Sequence, residues 1–296
     1  MKFERSSQLN SQAVSTYQQQ GFLMLPEYFS QDEVLALKSC LPHILSAKTE
    51  RTIFEPDGHT VRSVYAVHKD CELVARLSRH PLLVNAARQL LGGEVYLYQS
   101  KLNLKPAFAG TAWDWHQDYT YWHNEDAMPA PLAVNIAVFL DDVSEFNGPL
   151  YLVPGSQKDG IQDHSELTGR PEGYEQSPDW ISNLTAKLKY VVERDRVAEL
   201  VKSHGLTAAK GPAGSVLVFH SNIVHASPPN ITPLERSTLL FSYNHISNAP
   251  PESLRRRPDF LSSADTHPIQ EVDEELGHLL SCAVARPLGR GNHEHH

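Results

Sequence analysis

The apolar positions follow two different periods along the chain. Gly21-Phe22-Leu23-Met24-Leu25-Pro26 reads as a short apolar strand, and Ser30 with Glu33 forms a capping-box pattern that opens a helix over 30–45. Leu82, Leu83, Ala86, Ala87, Leu90 and Leu91 recur at helical spacing and predict a second helix over 80–91, stopped by Gly92-Gly93. Beyond that point the period falls to two. Over 95–105 one face carries Val95, Leu97, Gln99, Lys101 and Asn103 and the other Tyr96, Tyr98, Ser100, Leu102 and Leu104, so the first face turns polar midway. Further strands are predicted at 132–140, 150–153, 214–219 and 236–244, each bounded by Gly, Pro, Asn or Asp.

Strands that are apolar on one face and polar or small on the other, with helices beside them, predict a mainly β fold with flanking helices. The architecture expected is a jelly-roll (double-stranded β-helix, cupin-like) barrel whose lumen binds something. The expected organisation is one domain over 1–287, with a helical layer at 1–92, a jelly-roll core at 93–250 and a C-terminal segment at 251–287. Residues 155–213, rich in Gly, Asp, Ser and Pro with a helical stretch at 192–201, read as an insertion over the barrel mouth. The tail at 288–296 reads as disordered, and its histidines are set aside.

Composition narrows the function classes. Lys+Arg 26 against Asp+Glu 35 gives a net charge of −9, which disfavours nucleic acid as the main partner. Cys40, Cys71 and Cys282 are odd in number and far apart with no CxxC, which argues against a disulfide framework or a thiolate zinc site and for a reducing cytoplasm. No apolar run is long enough for a membrane span, and the start Met1-Lys2-Phe3-Glu4-Arg5 lacks a signal-peptide apolar region. The expected partner is a small molecule.

The chemistry concentrates in Trp113-Asp114-Trp115-His116-Gln117-Asp118-Tyr119-Thr120-Tyr121-Trp122-His123. His116 and Asp118, two apart on an extended chain, point to one side and can share a cation. His225, 107 residues after Asp118 and just past a predicted strand, supplies a third ligand, with His220 as competitor. Two histidines and a carboxylate form the facial set of non-haem Fe(II) oxygenases and leave positions open for a cosubstrate and O2; the same donors also suit zinc in a hydrolase or binding module. Arg236, eleven residues after His225, heads a strand whose alternating face is Arg236, Thr238, Leu240, Ser242 and Asn244. A polar face inside an apolar barrel is costly unless a ligand meets it, and a guanidinium can hold the far carboxylate of 2-oxoglutarate by two parallel hydrogen bonds.

His116-x-Asp118, His225 and Arg236 at these spacings resemble the phytanoyl-CoA dioxygenase (PhyH) family of Fe(II)/2-oxoglutarate oxygenases. Within it, Trp115-His116-Gln117-Asp118-Tyr119, Glu125-Asp126-x-Met128-Pro129, Asn147-Gly148-Pro149-Leu150 and His225-Ala226-Ser227-x-x-Asn230-Ile231-Thr232-Pro233 are similar to bacterial ectoine hydroxylases. Asp57-Gly58-x-Thr60-Val61-Arg62, Val134-Asn135-Ile136-Ala137-Val138 and Gly211-Pro212-Ala213-Gly214-Ser215 add a closer resemblance to bacterial free-L-proline 4-hydroxylases. The resemblance implies that His116, Asp118 and His225 bind Fe(II), that Arg236 with Ser227 anchors 2-oxoglutarate, and that Gln99 and Asn135 lie beside cosubstrate or substrate. It also implies hydroxylation of an sp3 carbon with release of succinate and CO2. Two positions depart from the pattern: Ala127 stands where Gly is usual, and Trp113 where ectoine hydroxylases carry Phe. The retained Asp118 argues against a halogenase.

Trp113, Trp115, Tyr119 and Trp122 are candidate pocket walls, able to carry a cationic substrate nitrogen on a ring face or simply to pack in the core. Arg62 and Lys101 are candidates for a substrate carboxylate, and His123 and Asn244 for further substrate contacts. The leading expectation is hydroxylation of a small free amino or imino acid, L-proline first, with ectoine or a linear amino acid as alternatives.

Overall fold

The computed structural model of the protein describes residues 6–171, 174–254 and 257–272, so the expected tail at 288–296 lies outside the described residues. The helices are α1 (Ser11–Gln20), α2 (Gln31–Ser39), α3 (Leu41–Ser46), α4 (Glu72–Leu77), α5 (Pro81–Leu91), α6 (Asp118–Asp126) and α7 (Arg194–His204). The early strands are β1 (Phe22–Leu25), β2 (Thr52–Phe54), β3 (Val61–Tyr65), β4 (Val95–Lys105), β5 (Trp113–His116), β6 (Ala133–Phe139) and β7 (Leu150–Leu152). They are followed by β8 (His164–Glu166), β9 (Tyr190–Val192), β10 (Thr207–Ala209), β11 (Val216–His220), β12 (His225–Ser227) and β13 (Arg236–His245).

A seven-stranded sheet in the order β1-β11-β6-β13-β4-β3-β2 and a four-stranded sheet in the order β10-β7-β12-β5 supply the framework, with every described pairing between named strands antiparallel. No strand pairing closes the two sheets into a continuous barrel among the described residues. The large sheet presents two different faces. Val134, Ile136 and Val138 of β6, Val216 and Val218 of β11, and Leu239, Phe241 and Tyr243 of β13 pack against α2 and α5 through Val34, Leu37, Leu83, Ala86 and Ala87. Asn135, Ala137, Leu217, Phe219, Arg236, Thr238, Leu240 and Ser242 face the other way, as period-two alternation requires.

Several local expectations are met and several are corrected. The Ser30–Glu33 capping box forms and α5 ends at Gly92 in the left-handed region, φ 78°. The single helix expected over 30–45 is instead two, because Pro42 enters the first turn of α3 and cannot continue the hydrogen-bond ladder of α2. Cys40, at that junction, is joined to Cys71 in a disulfide across 31 residues, which corrects the expectation drawn from cysteine spacing. The alternation over 95–105 does not run through β4 unbroken: Ser242 pairs with Gln99 but Tyr243 with Leu97, a bulge at Tyr98. Val95 and Leu97 therefore sit with the helix-side core, whereas Gln99 and Lys101 reach the cavities on the other face. No described helix is long and apolar enough to cross a membrane.

Ala127 closes α6 at φ 58° and ψ 35°, with its N–H donating to His123 and Trp122 carbonyls. A Cβ in this region is strained, and glycine relieves the strain at some entropic cost in the unfolded chain. Ala127→Gly should raise stability by about 0.5–1 kcal/mol in denaturant unfolding. An unchanged or lower midpoint would mean that the turn is not strained.

Candidate metal centre and flanking cavities

The small sheet brings two imidazoles side by side. His225 of β12 and His116 of β5 are cross-strand partners with ring centroids 4.2 Å apart. Between His225–Ser227 and Trp113–His116 the register slips by one residue. This bulge turns Trp113 and His116, three apart, both into the lumen and leaves Trp115 packed outside against the Val153, Val192 and Val197 cluster. Asp118 reaches the same point by a route the extended-chain expectation missed, as the first residue of α6. Gln117 fixes the corner between them. Its amide nitrogen donates to the Asn222 carbonyl at 2.7 Å and its oxygen accepts from the Gln162 N–H at 2.8 Å, tying the segment to the turn that precedes His225.

His116, Asp118 and His225 are all buried, and each offers a ligand atom within 4.8 Å of the others. His116 Nε2 lies 3.8 Å from Asp118 Oδ1 and His225 Nε2 3.8 Å from Asp118 Oδ2, within the roughly 4.2 Å that two ligands of one transition-metal ion can span. The other ring nitrogens are set by backbone: Nδ1 of His116 donates to the Asp114 carbonyl at 2.6 Å and Nδ1 of His225 to Ile223 at 2.9 Å, which leaves each Nε2 lone pair free. Burial, helped by the neighbouring His225, pushes His116 down to about 3 and burial also lowers His225, so both rings are neutral donors near pH 7. Burial alone would raise Asp118, but Lys101, the two imidazoles and the Asn135 amide outweigh it and keep the carboxylate ionised. Asn135 donates to Asp118 Oδ2 at 2.8 Å and accepts from Ser242 Oγ at 2.5 Å, so the polar lumen face orients the carboxylate. His220, the competing ligand, points away: its Nδ1 accepts from the Asn222 N–H at 3.0 Å and its ring lies near Tyr17.

Two cavities share a wall made of Lys101, Trp113, His116 and Asp118. The first is lined by apolar Ala137, Phe139, Leu217, Phe219 and Leu240 and by Asn103, Thr238 and Arg236. Arg236 is buried with its Nε unpartnered, and Thr238 Oγ1, Asn103 Oδ1 and Trp113 Nε1 around the same cavity are also buried without partners. Burial pushes Arg236 down to about 10, still charged at neutral pH. Its cross-strand partner Lys105, which sequence reasoning missed, donates to the Thr111 and Pro228 carbonyls and is lowered to about 6 by burial and by the Arg236 and Arg62 charges. Arg236 and Lys101 are thus the cations that line this cavity. The Ser227 hydroxyl donates to the Gly148 carbonyl at 2.9 Å, retaining acceptor capacity only.

The second cavity takes Trp113, Tyr121, Trp122, Gln99 and Lys101 from the strands and α6, Asn183, Leu184 and Leu188 from the segment between β8 and β9, and Arg257 from beyond β13. The last four, and Tyr121, were invisible to spacing arguments. Gln99 donates to the Leu261 carbonyl at 2.8 Å, and Arg257 grips Asp126 at the end of α6, Nε to Oδ1 2.9 Å. Four other sequence candidates lie outside both cavities. Arg62 is fully buried behind Trp113, its guanidinium 3.7 Å from the ring centroid and paired with Glu55. Tyr119 donates to the Pro129 carbonyl, His123 is exposed against the Met128 carbonyl, and Asn244 is bonded to Tyr96 and Asn248.

The donor set and the unpartnered cavity atoms fit an iron ion and a dicarboxylate, and comparison with known proteins agrees. The chain is 43% identical over 259 residues to L-proline trans-4-hydroxylase of Streptomyces griseoviridis, covering 88% of this chain and 94% of that protein. It is 38% identical over 244 residues to the ectoine dioxygenase of Stutzerimonas stutzeri (strain A1501), covering 81% and 78%. Among solved structures it matches EctD from S. alaskensis with 2-oxoglutarate and 5-hydroxyectoine at a TM-score of 0.77 and 28% identity, over 93% of this chain and 91% of that one. The same enzyme with bound Fe matches at 0.76 with the same coverage and identity. With the phytanoyl-CoA dioxygenase (PhyH) profile matching residues 17–238, the chain belongs to that family of non-haem Fe(II)/2-oxoglutarate dioxygenases.

Proposed function

We propose that this dioxygenase hydroxylates an sp3 carbon of a small free amino or imino acid, with L-proline or a close cyclic relative first. The reading rests on one juxtaposition: three ligand side chains stand between a cavity holding the unpartnered Arg236 and a second, aromatic cavity bearing the Lys101 ammonium. His116, Asp118 and His225 hold Fe(II). Bound there, Fe(II) supplies the O2 chemistry that couples decarboxylation of 2-oxoglutarate to C–H hydroxylation. Arg236, with the Thr238 hydroxyl, takes the distal carboxylate of 2-oxoglutarate by parallel charge-assisted hydrogen bonds, and the apolar wall covers its methylene groups. A zinc hydrolase has no use for such an anchor, which favours the oxygenase over the metal-binding alternative.

Trp113, Tyr121 and Trp122 wall the substrate side and keep water away from the reacting carbon. Lys101 carries no hydrogen bond or ion pair among the described residues and neutralises a carboxylate brought beside the metal ligands. The likeness to a proline hydroxylase and to ectoine dioxygenases supports a cyclic, nitrogen-bearing carboxylate as substrate. The test is to load the protein anaerobically with Fe(II) and 2-oxoglutarate, admit O2 with a panel of free amino acids and ectoine, and read product mass and succinate together. The expected result is one substrate that gains one oxygen atom with equal succinate. Succinate without an oxygenated product across the panel would sink the substrate class.

A further inference from the structure

In the substrate-side cavity one side chain has no use in the fold as it stands. Asn183 closes the 3-10 turn Asp179–Asn183 within the insertion, is 5% exposed, and lines the cavity beside Lys101, Tyr121, Trp122 and Arg257. Both Asn183 Oδ1 and Nδ2 are buried without a hydrogen-bond partner. An amide desolvated at both ends is costly, and a protein keeps one where a ligand supplies the missing partners. Gln99 is engaged with the Leu261 carbonyl, the Tyr121 hydroxyl with the Tyr190 carbonyl at 2.9 Å, and Arg257 with Asp126, while the Trp113 indole N–H and the Lys101 ammonium can only donate.

We propose that Asn183 is a specificity-determining residue that reads the charged head of the amino-acid substrate, an inference that rests on the amino-acid reading above. Its Oδ1 accepts from the protonated substrate nitrogen while its Nδ2 donates to the adjacent carboxylate, whose charge Lys101 balances. The charge inventory points the same way. Asp126 is consumed by Arg257 and Asp118 faces the imidazoles and Asn135, so among the described residues no uncommitted acid lines this cavity to pair with a substrate ammonium. A neutral oxygen acceptor, with the Trp122 ring nearby, is what the wall offers instead. Recognition therefore depends on a substrate N–H and not on positive charge alone. It also comes from the insertion, whereas the metal ligands and Arg236 come from the strand framework and the start of α6.

The experiment runs in two arms on the full chain with Fe(II) and 2-oxoglutarate. In the first, the wild type is compared on L-proline and on its N,N-dimethyl derivative, or on whichever primary amino acid the panel identifies and its N,N,N-trimethyl derivative; the quaternary compound keeps the charge and lacks an N–H. kcat/KM should fall at least about tenfold for the derivative. In the second, Asn183→Leu replaces the amide with an apolar side chain of similar size. KM for the amino acid should rise about 10- to 100-fold, KM for 2-oxoglutarate should move less than about threefold, and the penalty for the quaternary derivative should disappear. The melting temperature should not fall, since two unmet polar atoms are removed. Equal turnover of both compounds by the wild type, or an unchanged amino-acid KM in the variant, overturns the proposal. So does a parallel loss of 2-oxoglutarate affinity and melting temperature, which would mark a structural role. If no free amino acid is hydroxylated by the wild type, the substrate class itself fails; if one is and Asn183→Leu binds it normally, only the role of Asn183 does.

Discussion

Asp118→Ala is expected to abolish hydroxylation, by at least about three orders of magnitude, and to leave the protein folded. Losing a partner that merely orients a metal ligand typically costs 10–100-fold, and removing the ligand itself exceeds that. Asp118 is also the one anionic donor of the three, so its loss leaves two neutral imidazoles that grip a divalent ion weakly. Stability should change by no more than about 1 kcal/mol, because two effects oppose each other. The Asn135 amide loses its 2.8 Å acceptor and Lys101 its neighbouring negative charge, but the burial cost of the carboxylate is removed as well. Iron content after gel filtration, product formation by mass and a thermal melt check the three statements. A variant that retains iron and hydroxylates without added formate or acetate would show that Asp118 is not a ligand.

Much of this site was legible in the chain because its chemistry is local in type. The alternation in 236–244 put Arg236, Thr238 and Ser242 on one polar face, and β13 keeps that alternation without interruption where it pairs with β6. The identities of His116, Asp118 and His225 were readable from residue type and spacing. How they meet was not. Period-two reasoning has no means of sensing a bulge, and two bulges do the aiming here. One at Tyr98 moves Gln99 and Lys101 onto the lumen face, and one between His225 and Ser227 rejects Trp115 while admitting Trp113. The short helix α6 was equally hidden, since Asp118–Asp126 packs aromatic residues all round and shows no clear stripe.

The remaining omissions are tertiary. Asn183, Leu184 and Leu188 come from a segment that reads as loop, and Arg257 enters from the far end of the chain to hold Asp126. Nothing in their neighbours' sequence marks them. Arg62 illustrates the converse: a cation in a motif looked free to meet a substrate, yet Glu55, seven residues earlier across the β2–β3 turn, pairs with it at 3.2 Å. Its contribution is to press the Trp113 ring that both cavities share. The Cys40–Cys71 link was misjudged because an odd cysteine count says nothing about which two residues the helical layer brings together.

Arg236→Ala should act with opposite sign on affinity and on stability. The guanidinium is buried among apolar residues with no acid within ion-pair distance among the described residues, and burial has already pushed it down to about 10. In the free protein it is therefore a cost, one that a dicarboxylate bound as proposed would repay. Removing one partner of such a buried charge pair costs about 3 kcal/mol of binding, so KM for 2-oxoglutarate should rise about 100-fold. The unliganded variant should melt at the same temperature or higher, since a desolvated charge has been deleted. The wild type, by contrast, should gain in melting temperature as 2-oxoglutarate is added with a redox-inert divalent metal, following ligand concentration over Kd, and the variant should gain little at the same concentrations. Both readings come from one thermal-shift titration and one steady-state series. A variant with unchanged KM would place the anchor elsewhere in the lumen. A variant that binds poorly and also melts much lower would mean that Arg236 supports the fold and that the affinity loss is indirect.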